Sequence, residues 1–159
     1  MKALAGVVLA AFLLVGCATT QPVAQQPDLP TSQTFDAPKD AVWTALVQEV
    51  GLRFPVKAVE KESGLLTTDF VSMPAGFNNM NAGRWVHPPG GFLATWNGLR
   101  MSMSVLVTEP QPGKTSVNIR THYEAFENNV SHSWVVCQSN GGLEHEILSN
   151  ISVKATGTQ

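Results

Sequence analysis

The stretch Leu99-Arg100-Met101-Ser102-Met103-Ser104-Val105-Leu106-Val107 decides how the chain is read. Its odd positions are all apolar and its even positions mostly polar, the two-residue period of a strand that buries one side and wets the other. Val117, Ile119 and Tyr123 repeat the alternation after "EPQPGK" at 109–114. The two runs therefore predict a hairpin with one packed face and one face in water.

A sheet with one apolar face needs a cover, and the flanking sequence offers two amphipathic helices. Upstream, Asp36-Ala37-Pro38 reads as a helix entry with proline in the first turn. Trp43, Leu46, Val47 and Val50 then fall at i, i+3, i+4 and i+7, predicting a helix over about 38–52 with Lys39, Gln48 and Glu49 on its wet side. Phe54–Val59 and Leu65–Val71 flank the connection "EKESG" at 60–64 and predict two antiparallel strands. Downstream, in "SWVVCQSNGGLEHEILSNI" at 133–151, Ser139 or Asn140 can cap a helix and Glu144 sits near its positive end. Leu143, Ile147 and Ile151 give that helix an apolar edge over about 142–153, and a further strand is placed around 132–137 ahead of it. The expected order is β-α-β-β-β-β-α, an α+β fold in which a single antiparallel sheet of about four to six strands packs on both helices. Trp43, Leu46, Val105, Ile119 and Ile147 should share its core.

The amino-terminal end reads differently. Lys2 is followed by an apolar run from Ala3 to Val15, which stops at Gly16-Cys17 and turns polar at Thr19, Thr20, Gln21 and Pro22. That run matches the basic start and apolar core of an export signal and falls short of the about 20 residues a membrane-spanning helix needs. Leu14-Val15-Gly16-Cys17 resembles the lipobox of bacterial lipoproteins. The resemblance implies cleavage ahead of Cys17 and acyl chains on it, a membrane anchor through more than one chain. Ala18 resembles the sorting pattern of outer-membrane lipoproteins, so a periplasm-facing, lipid-anchored protein of the outer membrane is expected. The domain boundaries that follow are a signal peptide at 1–16, a lipidated cysteine and flexible tether at 17–33, and one domain at 34–155. Pro22, Pro27 and Pro30 among Gln, Thr and Ser leave the tether with too little apolar surface to pack.

Removing 16 of the 159 residues takes Lys2 away and leaves 9 basic against 12 acidic side chains, a formal charge of −3 with neutral histidines. That balance excludes a polybasic nucleic-acid binder. Cys137, with Cys17 assigned to lipid, has no partner for a disulfide within the chain and reads as a small buried apolar residue.

"FDAPKDAVWTAL", "EKESGLLTTD" and "WVVCQSNGGLEHEIL" resemble the domain pattern of the C lipoprotein of the outer-membrane β-barrel assembly machinery and related small lipoproteins. The resemblance implies a helix-grip-like fold over about 34–152 and scaffold or accessory roles rather than catalysis. Its partner would be another envelope protein.

The chemistry-bearing residues point the same way. His87, His122, His132 and His145 have no metal-ligand spacing, and His145-Glu146 lacks the second histidine of a zinc helix, so no metal or other cofactor is expected. Glu144 and Glu146, two apart on a helix, face different directions and make no acid/base pair. No nucleophile elbow, phosphate loop or dinucleotide motif occurs, and an enzyme is not expected. The stretch "SMPAGFNNMNAGRWVHPPGGFLATW" at 72–96 combines large apolar side chains with glycines and prolines, in a connection longer than ordinary loops. Arg84, Trp85, Phe92 and Trp96 are its candidate partner-binding residues; the competing reading folds its aromatics back on the sheet as a satellite core. An alternative function is a binder of an apolar ligand or lipid between sheet and helices.

Overall fold

The computed structural model describes residues 28–73, 84–87 and 95–156. Its spine is the hairpin of β6 (Trp96–Gln111) and β7 (Lys114–Glu127), where Arg100 faces Glu124, Met103 faces Thr121 and Val105 faces Ile119. Two strands share each flank of that hairpin. Along β6, β3 (Leu65–Thr68) pairs with Ser104–Leu106 and β4 (Val71–Ser72) continues the edge opposite Arg100 and Met101, with β2 (Val56–Glu60) outside β3. Along β7, β1 (Ser32–Phe35) takes Thr115–Asn118 and β8 (Ser133–Ser139) takes Tyr123–Glu127, with β5 (Val86–His87) outside β8.

Among the described residues the sheet therefore has eight strands, and the expected helix-grip-like sheet of four to six in the order β-α-β-β-β-β-α is wrong. Two physical reasons account for the excess. The run Leu65–Val71 is broken at Asp69-Phe70: pairing of β3 with β6 stops at Thr67, and the Met103 N–H donates to the Thr68 hydroxyl at 2.9 Å. Val86–His87 pairs with the outer edge of β8 over two residues, too few to leave any period in a sequence.

Helix α1 (Lys39–Gly51) and helix α2 (Gly142–Thr156) pack on each other over one face of the sheet. Trp43, Leu46, Val105, Ile119 and Ile147 are buried there in one cluster with Leu66, Met101, Met103 and Leu148. Cys137 is a buried free thiol in the same core, and burial pushes its pKa up. Glu49 ties the helices together: its carboxylate accepts from Arg53 at 2.8 Å, Asn150 at 2.9 Å and Lys154 at 2.6 Å. Burial alone would raise the Glu49 pKa, but those three donors outweigh it and bring it to about 2.

The start of α2 is held as its cap residues predict. The Asn140 Oδ1 accepts the Gly142 N–H at 2.9 Å, and the Ser139 hydroxyl accepts the Gly141 N–H at 3.0 Å. Gly141 has φ +78°, and a Cβ there would stand 2.1 Å from the Leu29 carbonyl oxygen, so this corner admits only glycine. Leu29 in turn donates its N–H to the Asn140 carbonyl at 2.8 Å, and Asp28 meets His87 at 2.7 Å.

Candidate interaction surface

Strand alternation sends Val105, Ile119, Tyr123 and Ala125 to the helices and the residues between them to the other face. Among the described residues, Arg100, Ser102, Ser104 and Leu106 of β6 lie on that open face with Arg120, His122, Glu124 and Phe126 of β7, and Trp134 and Val136 of β8. Phe70, just ahead of β4, joins them. Four of these side chains are large, apolar and substantially exposed: Phe70 46%, Leu106 46%, Trp134 40% and Val136 62%.

The lower part of this face is ordered by stacking. The Arg100 guanidinium lies 4.7 Å from the Phe70 ring centroid and 4.2 Å from that of Trp134, within the range of favourable cation–π contact. Its Nε and Nη2 both donate to the Glu124 Oε2, the former at 2.6 Å. Glu124 Oε1 meets the His122 Nε2 at 3.2 Å, and the His122 ring is set edge-on to Phe70 at 5.8 Å. Phe126 and Trp134 make a second edge-on pair at 5.4 Å. His122, and then Arg100 against the opposing effect of burial, hold the Glu124 carboxyl below its usual range.

At the end of the face the connection from β7 to β8 is organised by one carboxylate. Glu127, buried, accepts the N–H groups of Thr95 at 3.2 Å, Asn129 at 2.7 Å, Val130 at 2.8 Å and Ser131, and also the Ser131 hydroxyl. The Ser131 N–H leads these donors in bringing the Glu127 pKa from 4.5 to about 2. Val130 is left exposed at the tip, and His132 takes a left-handed φ of +48°, a conformation that surrounding structure must enforce.

The residues singled out from sequence go elsewhere. Arg84 is exposed, lies 4.5 Å over the Trp85 ring and meets Glu146 at 3.4 Å beside the first turns of α2. Trp85 is half-buried against the core, and its carbonyl accepts the Asn140 N–H. Trp96 is half-buried against the core at the far end of β8, opposite Glu127. Arg84 and Trp85 are thus separated from Trp96 by the length of β8. Phe92 and Cys17 lie outside the described residues.

The open-face cluster was missed because Phe70, Phe126 and Trp134 come from separate stretches and none of them was assigned a face. Parity was the available signal: once Tyr123 and Ala125 point inward, Phe126 must point outward, and a Phe and a Trp on the wet side of adjacent strands ask for an explanation.

Ser102 sits across from His122 in the ladder, but no hydrogen bond joins them, so the nucleophile–base contact of covalent catalysis is not formed. No group of three or more His, Cys, Asp or Glu side chains converges among the described residues. A chemically distinct feature lies under α2: Glu144, buried, accepts from Thr121 and from Ser139 at 2.7 Å through Oε1, while its Oε2 and the buried Tyr123 hydroxyl have no hydrogen-bond partner among the described residues. Burial, and then the Glu144 charge, push the Tyr123 pKa up.

No protein-family model matches this chain, and no curated protein matches it.

Proposed function

We propose that this protein is a non-enzymatic interaction module of the bacterial envelope, an outer-membrane lipoprotein held through acyl chains on Cys17, with its domain facing the periplasm as a scaffold or assembly accessory. The observation that carries the reading is the open sheet face, where Trp134, Phe70 and Val136 stay exposed around an arginine whose geometry is already set by two rings and a carboxylate. Tryptophan and arginine dominate the energetics of protein interfaces, and side chains ordered before binding lose less entropy when a partner arrives. The basic start, apolar run and Leu14-Val15-Gly16-Cys17 support the anchor.

Two measurements test it. Mass analysis of the mature protein should find a chain that begins at an acylated Cys17; an unmodified Cys17, or a start beyond it, removes the anchor. Phe70→Ala with Trp134→Ala should leave a folded domain that has lost its envelope crosslinks, and unchanged crosslinking would remove the open face as the interface.

A further inference from the structure

The open face is chemically uneven, and the unevenness describes its occupant. Of the four arginines in the chain, Arg53, Arg84 and Arg100 each meet a carboxylate. Arg120 is exposed, directly across from Ser104 and two residues from His122, and among the described residues it meets none. Of the acidic residues on this face, Glu124 is already engaged by Arg100 and His122 and Glu60 stands three strands away on the outer strand β2, so among the described residues Arg120 is a positive charge in the middle of the face with no carboxylate partner.

Apolar groups flank that charge at spacings the strand fixes. With a rise of about 3.4 Å per residue, Leu106 lies about 7 Å to one side of Arg120, Val136 about 14 Å to the other and Trp134 about 20 Å. The whole run is about 27 Å long, the reach of about eight extended residues or eighteen helical ones. Within it, Leu106 and Arg120 stand on β6 and β7, whose backbone groups are paired with each other in the ladder, so recognition of the charge there falls to side chains rather than to strand addition.

We propose that the open face receives an acidic amphipathic segment of a partner protein, with a carboxylate on Arg120 and apolar side chains seated on Leu106 at one end and on Val136 and Trp134 at the other. This rests on the reading of that face as the interface. Charge complementarity argues for it, because an acidic partner gives Arg120 the carboxylate that it lacks within the fold, whereas a basic one would oppose it.

The test uses the full chain in intact envelopes with p-benzoylphenylalanine in place of Val136 and, separately, of Leu106, followed by sequencing of the crosslinked peptides. Both positions should capture the same protein, in a segment with more Asp and Glu than Lys and Arg. Arg120→Glu should lower the yield about tenfold or more, while Arg120→Lys retains it. Neither variant should move the unfolding midpoint of the purified domain, because Arg120 is exposed and its side chain makes no ion pair or hydrogen bond among the described residues. Crosslinks into a neutral or basic segment, or yields indifferent to Arg120→Glu, overturn the acidic partner and leave the open face as an interface. Crosslinks confined to lipid, to glycan or to a second copy of this chain overturn it as well. No crosslink at either position overturns the interface reading and this proposal together.

Discussion

The two faces of the sheet are made by the same strands in the same register, yet they hold their side chains by different means. On the covered face Val105, Ile119, Met101 and Met103 are fixed by volume, since helices on top leave them no exposed surface. On the open face Phe70, Arg100, Glu124 and Trp134 are fixed by ring stacking and charge, interactions that keep some strength in water. The comparison teaches that order and burial are separable: a side chain can be locked in place without being part of what holds the domain together.

The largest expected difference is in stability. Leu46→Ala or Ile147→Ala should each cost on the order of 2–5 kcal/mol in denaturant unfolding, because each empties volume under a helix. Losses below about 0.5 kcal/mol at both would mean that the covered face is not the core and would break the comparison at its base.

Acid sharpens it next. The Glu49 and Glu127 carboxyls are depressed in the folded chain from 4.5 to about 2, so their stabilisation is present above about pH 4.5 and lost as the pH falls toward 2. Glu49 should account for on the order of 1–2 kcal/mol of that loss once solvent screening at its partly exposed donors is allowed for. Unfolding curves of the parent and of Glu49→Gln between pH 7 and 2 measure it; a variant that keeps the whole acid dependence would show the helix tie to be inert.

A smaller effect is expected on the open face. Trp134→Ala should cost about 1 kcal/mol, the worth of one cation–π contact and one edge-on ring pair at a partly exposed site. A loss as large as that of Leu46→Ala would show that the open face carries the fold after all. The smallest effect belongs to Tyr123→Phe, which removes a buried hydroxyl with no hydrogen-bond partner among the described residues and should change stability by less than about 0.5 kcal/mol. A larger loss would reveal a hydrogen bond to that hydroxyl, through a trapped water for instance.

How much of this was legible depended on whether a feature repeats along the chain. Helix α1 was predicted at 38–52 and lies at Lys39–Gly51, because Trp43, Leu46, Val47 and Val50 return to one side every turn. The hairpin of β6 and β7 was visible for the same reason. β4 and β5 were not, since each is two residues long and exists only by pairing with a distant partner, which local sequence does not encode. The aromatic–arginine cluster combines residues from Phe70 to Trp134, and no single stretch contains it. Trp85 and Trp96 drew attention by composition, and both indoles lie half-buried against the core, while most of the segment that holds them lies outside the described residues.

The corner where Leu29 meets Gly141 has a mechanical consequence. A pull on the chain ahead of Asp28 does not reach β1 directly. It arrives first at the Asp28–His87 pair on β5, then at the Leu29–Asn140 hydrogen bond beside α2, and then at Thr31, whose carbonyl accepts the Ile119 N–H at 2.9 Å. Load is thereby shared among β5, the start of α2 and β7 where the chain enters the domain, so that tension applied ahead of Asp28 turns the domain as one body rather than peeling β1 from its edge.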